Sequence, residues 1–430
     1  MDQPILIYCP FTSNRLLYVL DWVFKTRLGI AYILSNNPSD SATISYGTNS
    51  DSGISIPSSG LLQQQGIQQQ VVITGEWKSI PTLYVAEGNY AVPFDMFSAI
   101  FFLLSRYEEY YSFTPDKHGR YPATDSILYK NNWLERPLVD EWIEQLRLLL
   151  NSKNIIAKTG AFSYTPTYDI DIAWSYRNKG FKRTVGGMVR DILSGKLTAV
   201  TQRIRAMFNE NKDPYYSFEG IATLHKKYGY TPVYFVLAAL RTGAFDKNIS
   251  PKHPAMQRLI IQLAGEGILG IHPSYNMNTS LSLLAEEKNL LEKISGIRIT
   301  QSRQHYIRLW FPATYRQLIQ AGISDDYSMG YGTHLGFRAA TANTFKWYDI
   351  ENEAATELYI HPFCFMDSTA RYDLNLSSLE AFSRLEKMAI ALKKLNCPLI
   401  TVFHNFSLGT DNEWPGWPEA YAAFLKKMAK

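Results

Sequence analysis

The chain has 430 residues with 46% hydrophobic and 14% aromatic content, enough for a sizeable core in about two or three domains. A net charge of +4 is mild at this length and gives no reason to expect nucleic acid as a partner. No run of about 18 apolar residues marks a transmembrane helix, the start MDQPILIYCP lacks signal-peptide regions, and three scattered cysteines (Cys9, Cys364, Cys397) form neither a disulfide framework nor a CxxC knuckle, so a soluble, cytoplasmic protein is expected.

Residues 1–155 read as a smaller N-terminal α/β domain. Ile5 to Cys9 and Gly29 to Leu34 resemble short buried strands, and residues 36–70, rich in Ser, Asn, Gly and Gln, read as loops. Strand patterning resumes at Val71 to Thr74 and Pro81 to Val85. Phe94 to Tyr111 is an aromatic helix capped near Asp95, and Trp133 to Leu150 is an amphipathic one.

From residue 156 the rhythm alternates. Phe162 to Asp171, Pro232 to Ala238, Ile268 to Ile271, Ile297 to Ser302, Gly322 to Asp326, Thr333 to Phe337, Glu357 to Ile360 and Leu399 to Phe403 read as strands. Helix-length segments lie between several of them, among them Gln257 to Leu263, Leu281 to Ile294 and Ser377 to Leu395. Repeated strand–helix–strand spacing predicts parallel βα units, and this number of them predicts a distorted (β/α) barrel of seven or eight strands over 156–430. Residues 175–212 interrupt the pattern with nine Lys and Arg against two acids, a balance of +7. They read either as solvated helices or as a basic lid for an anionic substrate or a membrane surface.

The candidate chemistry collects at strand ends, where parallel βα folds place their sites. Asp169 and Asp171 close the run TPTYDID; His272 follows ILGI; Arg303 and His305 follow ITQS; His404 ends LITVF. Asp171, His272 and His305 make one carboxylate and two imidazoles, a set that suits Zn²⁺ and leaves a position for water. Arg303 is placed to pair with Asp169 and keep it ionised. His404, with an ordinary pKa of about 6.5, suits a general acid. Asp367 is placed to orient His404 or bind a substrate hydroxyl, and Arg338 to bind a substrate group. Trp174, Tyr275 and Trp310 are candidate rings for stacking on a sugar, and equally candidates for the core. His361 reads as packing, and His118, His225, His253 and His334 carry no local case.

At these residues the chain resembles the polysaccharide deacetylases of carbohydrate esterase family 4, the NodB-type superfamily, and a divergent branch of it with an extra N-terminal domain. TYDID resembles the family motif TFDDG, PVYFVLA is similar to its second strand, and TVFHN is similar to its closing Leu-x-His. The resemblance implies that Asp169 is the catalytic base, Asp171 a metal ligand and His404 the general acid. It also departs from the family. HPSYN stands where HSxxH is found, so Asn276 replaces the second histidine. His305, at the place of the family's arginine motif, is expected to supply the third ligand instead, with Arg303 orienting the base. The implied activity is metal-dependent removal of acetyl from an N-acetylated sugar or polysaccharide. Two alternatives stand beside it: hydrolysis of a non-sugar amide on the same fold, and a non-catalytic glycan-binding relic.

Overall fold

A computed structural model describes residues 4–48, 53–195, 197–241, 243–276 and 281–429, without the side chains of 181–183, 197 and 198. Of the basic segment, Lys196 and the side chains of Lys182 and Arg183 therefore lie outside the described residues.

The first sheet is parallel, in the order β2-β1-β3-β4, from β1 (Ile5–Tyr8), β2 (Tyr32–Ser35), β3 (Ile44–Tyr46) and β4 (Ile54–Ile56). The last two lie in the stretch whose polar composition read as loop; each is only three residues long, though fully buried. A hairpin of β5 (Thr74–Trp77) and β6 (Ile80–Leu83) follows. The helix Met96–Leu104 is buried on every side, and the Asp95 carboxylate caps it by accepting from the Ser98 N–H. It stops well short of Tyr111 because Arg106 turns left-handed (φ +55°), which sends its guanidinium across the molecule. The second expected helix begins only after Pro137, as Leu138–Ser152.

The second sheet has nine strands in the order β12-β13-β11-β10-β9-β8-β7-β15-β14. They are β7 (Tyr164–Ile170), β8 (Val233–Leu237), β9 (Ile268–His272), β10 (Gln301–Ser302), β11 (Asp325–Asp326), β12 (Phe345–Asp349), β13 (Ala354–Ile360), β14 (Phe365–Met366) and β15 (Leu399–His404). All neighbours are parallel except β12 and β13. The parallel α/β organisation agrees with the expectation. The ladder itself is open, with β12 and β14 at its edges, and it does not close into a barrel among the described residues. Only four residues separate β13 from β14, and one of them, Pro362, has no N–H to donate. Thr333 to Phe337 is not a strand; Gly336 there has φ +118° and no room for a Cβ beside the Leu134 carbonyl.

The two sheets share one apolar core. Buried polar groups also tie them: Arg15 to Glu353 at 2.5 Å, Glu109 to Arg106 at 2.8 Å and to Arg338 at 2.5 Å, and the Arg106 guanidinium to the Arg338 carbonyl. The basic segment forms two helices, Phe181–Leu193 and Leu197–Phe208. No helix among the described residues is long and apolar enough to cross a membrane, and the three cysteines are buried free thiols.

Candidate metal centre

The central strands of the second sheet carry the site because each ends in a polar residue after an apolar run. β7 lies between β15 and β8, with Asp169 opposite His404 on one side and Phe235 on the other. β9 ends at His272, and Arg303 follows β10. Side chains at these ends point toward one cavity of about 290 Å³. Asp169, Asp171, His272, His305 and His404 all line it.

Asp171, His272 and His305 present ligand atoms within 4.8 Å of one another. The His272 Nε2 lies 3.1 Å from Asp171 Oδ1, and the His305 Nε2 lies 3.6 Å from Asp171 Oδ2. Donors about 2.0–2.1 Å from a tetrahedral ion sit about 3.3 Å apart, so this spacing fits one. The far nitrogens fix the tautomers. His272 Nδ1 is 2.6 Å from the Arg303 carbonyl, which accepts its proton, and His305 Nδ1 is 3.1 Å from Asp246 Oδ1. Each Nε2 is thereby left with its lone pair toward the gap. The buried Asp171 Oδ1 has no well-aligned donor within the protein. Burial alone would raise the Asp171 carboxyl, but the facing His305 and His272 hold it well below the usual range. The residues present therefore fit a divalent cation.

On one flank Asp169 accepts from Arg303 Nη1 at 3.0 Å. The guanidinium is fully buried, also donates to Thr167 Oγ1 and the Tyr327 carbonyl, and lies 4.5 Å over the Phe235 ring. Gly270 makes that stack possible, because a Cβ there would sit 2.6 Å from the Phe235 ring. On the other flank His404 Nε2 is 3.5 Å from Asp171 Oδ2. Asp367 grips it twice, accepting from the His404 backbone N–H at 2.7 Å and from Nδ1 at 2.6 Å. Burial disfavours the imidazolium, but the Asp367 charge and hydrogen bond outweigh it and raise the His404 pKa to about 9.

Four residues given a substrate role, Arg338, Trp174, Tyr275 and Trp310, do not line this cavity, and Asp367 takes the other role expected of it, orienting His404. Arg338 is buried against Glu109 and the Gly330 carbonyl. Asp367, also buried, is spent on His404. Trp174 is buried and donates to Glu210 at 2.8 Å. Tyr275 stacks on Phe245 at 4.1 Å, with the Arg308 guanidinium on its ring. In their place the N-terminal half supplies a wall. Lys117, His118 and Arg120 line the cavity from a loop that carries no strand-end signal. Arg120 donates to the Tyr306 carbonyl at 2.8 Å, and Arg308 donates to the His118 carbonyl at 2.8 Å. These bonds brace Tyr306 and Ile307, both left-handed (φ +58° and +54°), directly after the ligand His305. Asp246 was also not anticipated; it stands nine residues past the end of β8, beyond the reach of a strand-end rule.

Residues 5–155 match the model of a family of unknown function, DUF7033. No curated protein matches the chain. Among solved structures, a polysaccharide deacetylase of Bacillus cereus, Bc1974, is similar at 11% identity and TM-score 0.31, covering 62% of this chain and 88% of its own. The catalytic domain of a peptidoglycan N-acetylglucosamine deacetylase from Eubacterium rectale is similar at 10% identity and TM-score 0.30, covering 62% and 84%. An allantoinase is similar at 12% identity and TM-score 0.38, covering 62% and 83%. Likeness this low carries no argument about activity, and what the centre does has to be read from its side chains.

Proposed function

We propose that the chain is a metal-dependent hydrolase that removes acetyl from an N-acetylated sugar. One observation carries the reading: a carboxylate and two imidazoles share a cation-sized gap, flanked by an arginine-held carboxylate and a carboxylate-held imidazole in the same cavity. Asp171, His272 and His305 would hold the cation, with Zn²⁺ favoured by the donor set. When bound, such an ion supplies Lewis acidity to the acetyl carbonyl and to water.

The protein's own groups do the rest. Asp169 takes the proton of the attacking water; Arg303 holds its carboxylate in place. The Tyr306 backbone N–H is assigned to the oxyanion that develops at the acetyl carbon. His404, held protonated by Asp367, gives its proton to the departing amine nitrogen. The choice of a sugar amide rests on the motif resemblance around Asp169 and His404. Residues 1–155 and 156–430 are assigned as two units, the second carrying the chemistry and the first fencing the cavity through Lys117, His118 and Arg120.

Elemental analysis of purified His305→Ala and Asn276→Ala tests the ligand set. Metal lost only from the first is expected; metal kept by both sinks the assignment. Turnover on N-acetylhexosamine oligomers set against small non-sugar amides then decides the bond, and wild type free of stoichiometric metal returns the chain to a binding relic.

A further inference from the structure

The helices Phe181–Leu193 and Leu197–Phe208 are built inside out. Val185, Val189, Ile192 and Leu193 fall at i, i+4, i+7 and i+8, the spacing that normally faces a core. Here they face solvent, with Leu193 83% exposed. Ile204, Met207 and Phe208 repeat the stripe on the second helix, with Phe208 86% exposed. The polar groups lie on the inner side instead. Asp191 and Arg203 are buried and paired at 2.6 Å, the Arg203 guanidinium lies 4.5 Å over the Tyr176 ring, and Gly187 leaves room for it.

We propose that this helical pair docks on the surface of an anionic phospholipid bilayer. The exposed stripes supply the apolar area that enters the boundary between headgroups and acyl chains. Charge selects the lipid: residues 175–212 carry nine Lys and Arg against two acids. Both acids are engaged inward, Asp191 by Arg203 and Glu210 by the Trp174 indole N–H. Arg190 and Arg205 are exposed, each one residue after a stripe residue, so a guanidinium borders each apolar face. A second copy of the chain would meet this surface with the same excess of positive charge, which disfavours a symmetric pair. The hairpin also leaves the rim of the cavity. The Asp213 carboxylate accepts from the N–H groups of Ser175, Tyr176 and Arg177 at its base, and nearby Tyr215 packs at 5.5 Å on Phe406, a cavity-lining ring.

Flotation of the full chain with vesicles of phosphatidylglycerol and phosphatidylcholine, against phosphatidylcholine alone, tests this. Binding to the anionic vesicles alone is expected. Leu193→Ser with Phe208→Ser should weaken it by at least about tenfold, and Arg190→Glu with Arg205→Glu by a similar factor. All four side chains are exposed, so circular dichroism and metal content should match wild type. No binding, or binding indifferent to both double variants, overturns the proposal. So does a concentration-dependent dimer dispersed by Leu193→Ser with Phe208→Ser, which gives the face to a second copy. Neither result touches the hydrolase reading, which is judged by metal content and turnover.

Discussion

Three of the four imidazoles lining the cavity are held on the far nitrogen by a carbonyl or a carboxylate: His272 by a carbonyl, His305 by Asp246 and His404 by Asp367. The two carboxylates have different consequences. Asp246 orients a ligand, so Asp246→Ala should weaken metal affinity about 10–100-fold while leaving the fold intact, read by competition with a chelating dye. Asp367 sets a proton affinity. A His404 pKa of about 9 means that the imidazolium persists through neutral pH and is lost as pH rises through that value. Asp367→Asn removes the largest charge that opposes burial and leaves only those of Asp171 and Asp169. The alkaline limb of kcat/KM should then move to lower pH by about one unit or more, at constant metal content. At this scale the sequence was readable where an apolar run ended in an acid or a histidine, as at Asp169, His272 and His404. It was silent on Asp246 and His118, because a residue in mid-loop announces nothing about which strand end it will lean on.

The elements explain both the reach and the failure of pattern reading. β7, β8, β9 and β15 are five to seven residues long and buried almost throughout, as strands covered on both faces are. β10, β11 and β14 have two residues each, too few for any periodicity to register. Their positions follow from their neighbours, as when Ser302 of β10 pairs with Ile271 of β9 and so delivers Arg303 beside Asp169. Gly270 of β9 lies opposite Phe235 of β8 with no room for a Cβ. Gly270→Ala should cost about 1–3 kcal/mol in urea unfolding through overpacking. It should also lower turnover more than metal content, because the displaced ring is the one under Arg303.

Across the whole molecule, the buried trio of Arg106, Glu109 and Arg338 joins the helix end at Leu104 to the segment before β12. Burial alone would raise the Glu109 carboxyl, but Arg338 and Arg106 hold it below the ordinary value. Its stabilising contribution is therefore complete above the unfolded carboxyl's pKa of about 4.3 and is lost as pH falls through the lower folded value. Glu109→Gln should leave the buried Arg338 guanidinium without its carboxylate, while Arg106 keeps Glu108, and cost about 3–5 kcal/mol at neutral pH. The variant should also show a shallower loss of stability in acid, followed by denaturant midpoints between pH 3 and 7. The pairing was not visible beforehand: Glu109 sat in what read as an uninterrupted helix, and Arg338, just past a presumed strand, read as a substrate binder or a brace for the rim.

The loop bearing Lys117, His118 and Arg120 comes from residues 1–155, and Asp171, His272 and His305, which it overlooks, come from residues 156–430. Under the proposed hydrolase reading, the stretch that screens the mouth is separate in sequence from the stretch that reacts. Arg120 and the His118 carbonyl also hold Tyr306 in place, so the exposed Lys117 is the position where a substitution changes what the mouth admits while those bonds stay intact.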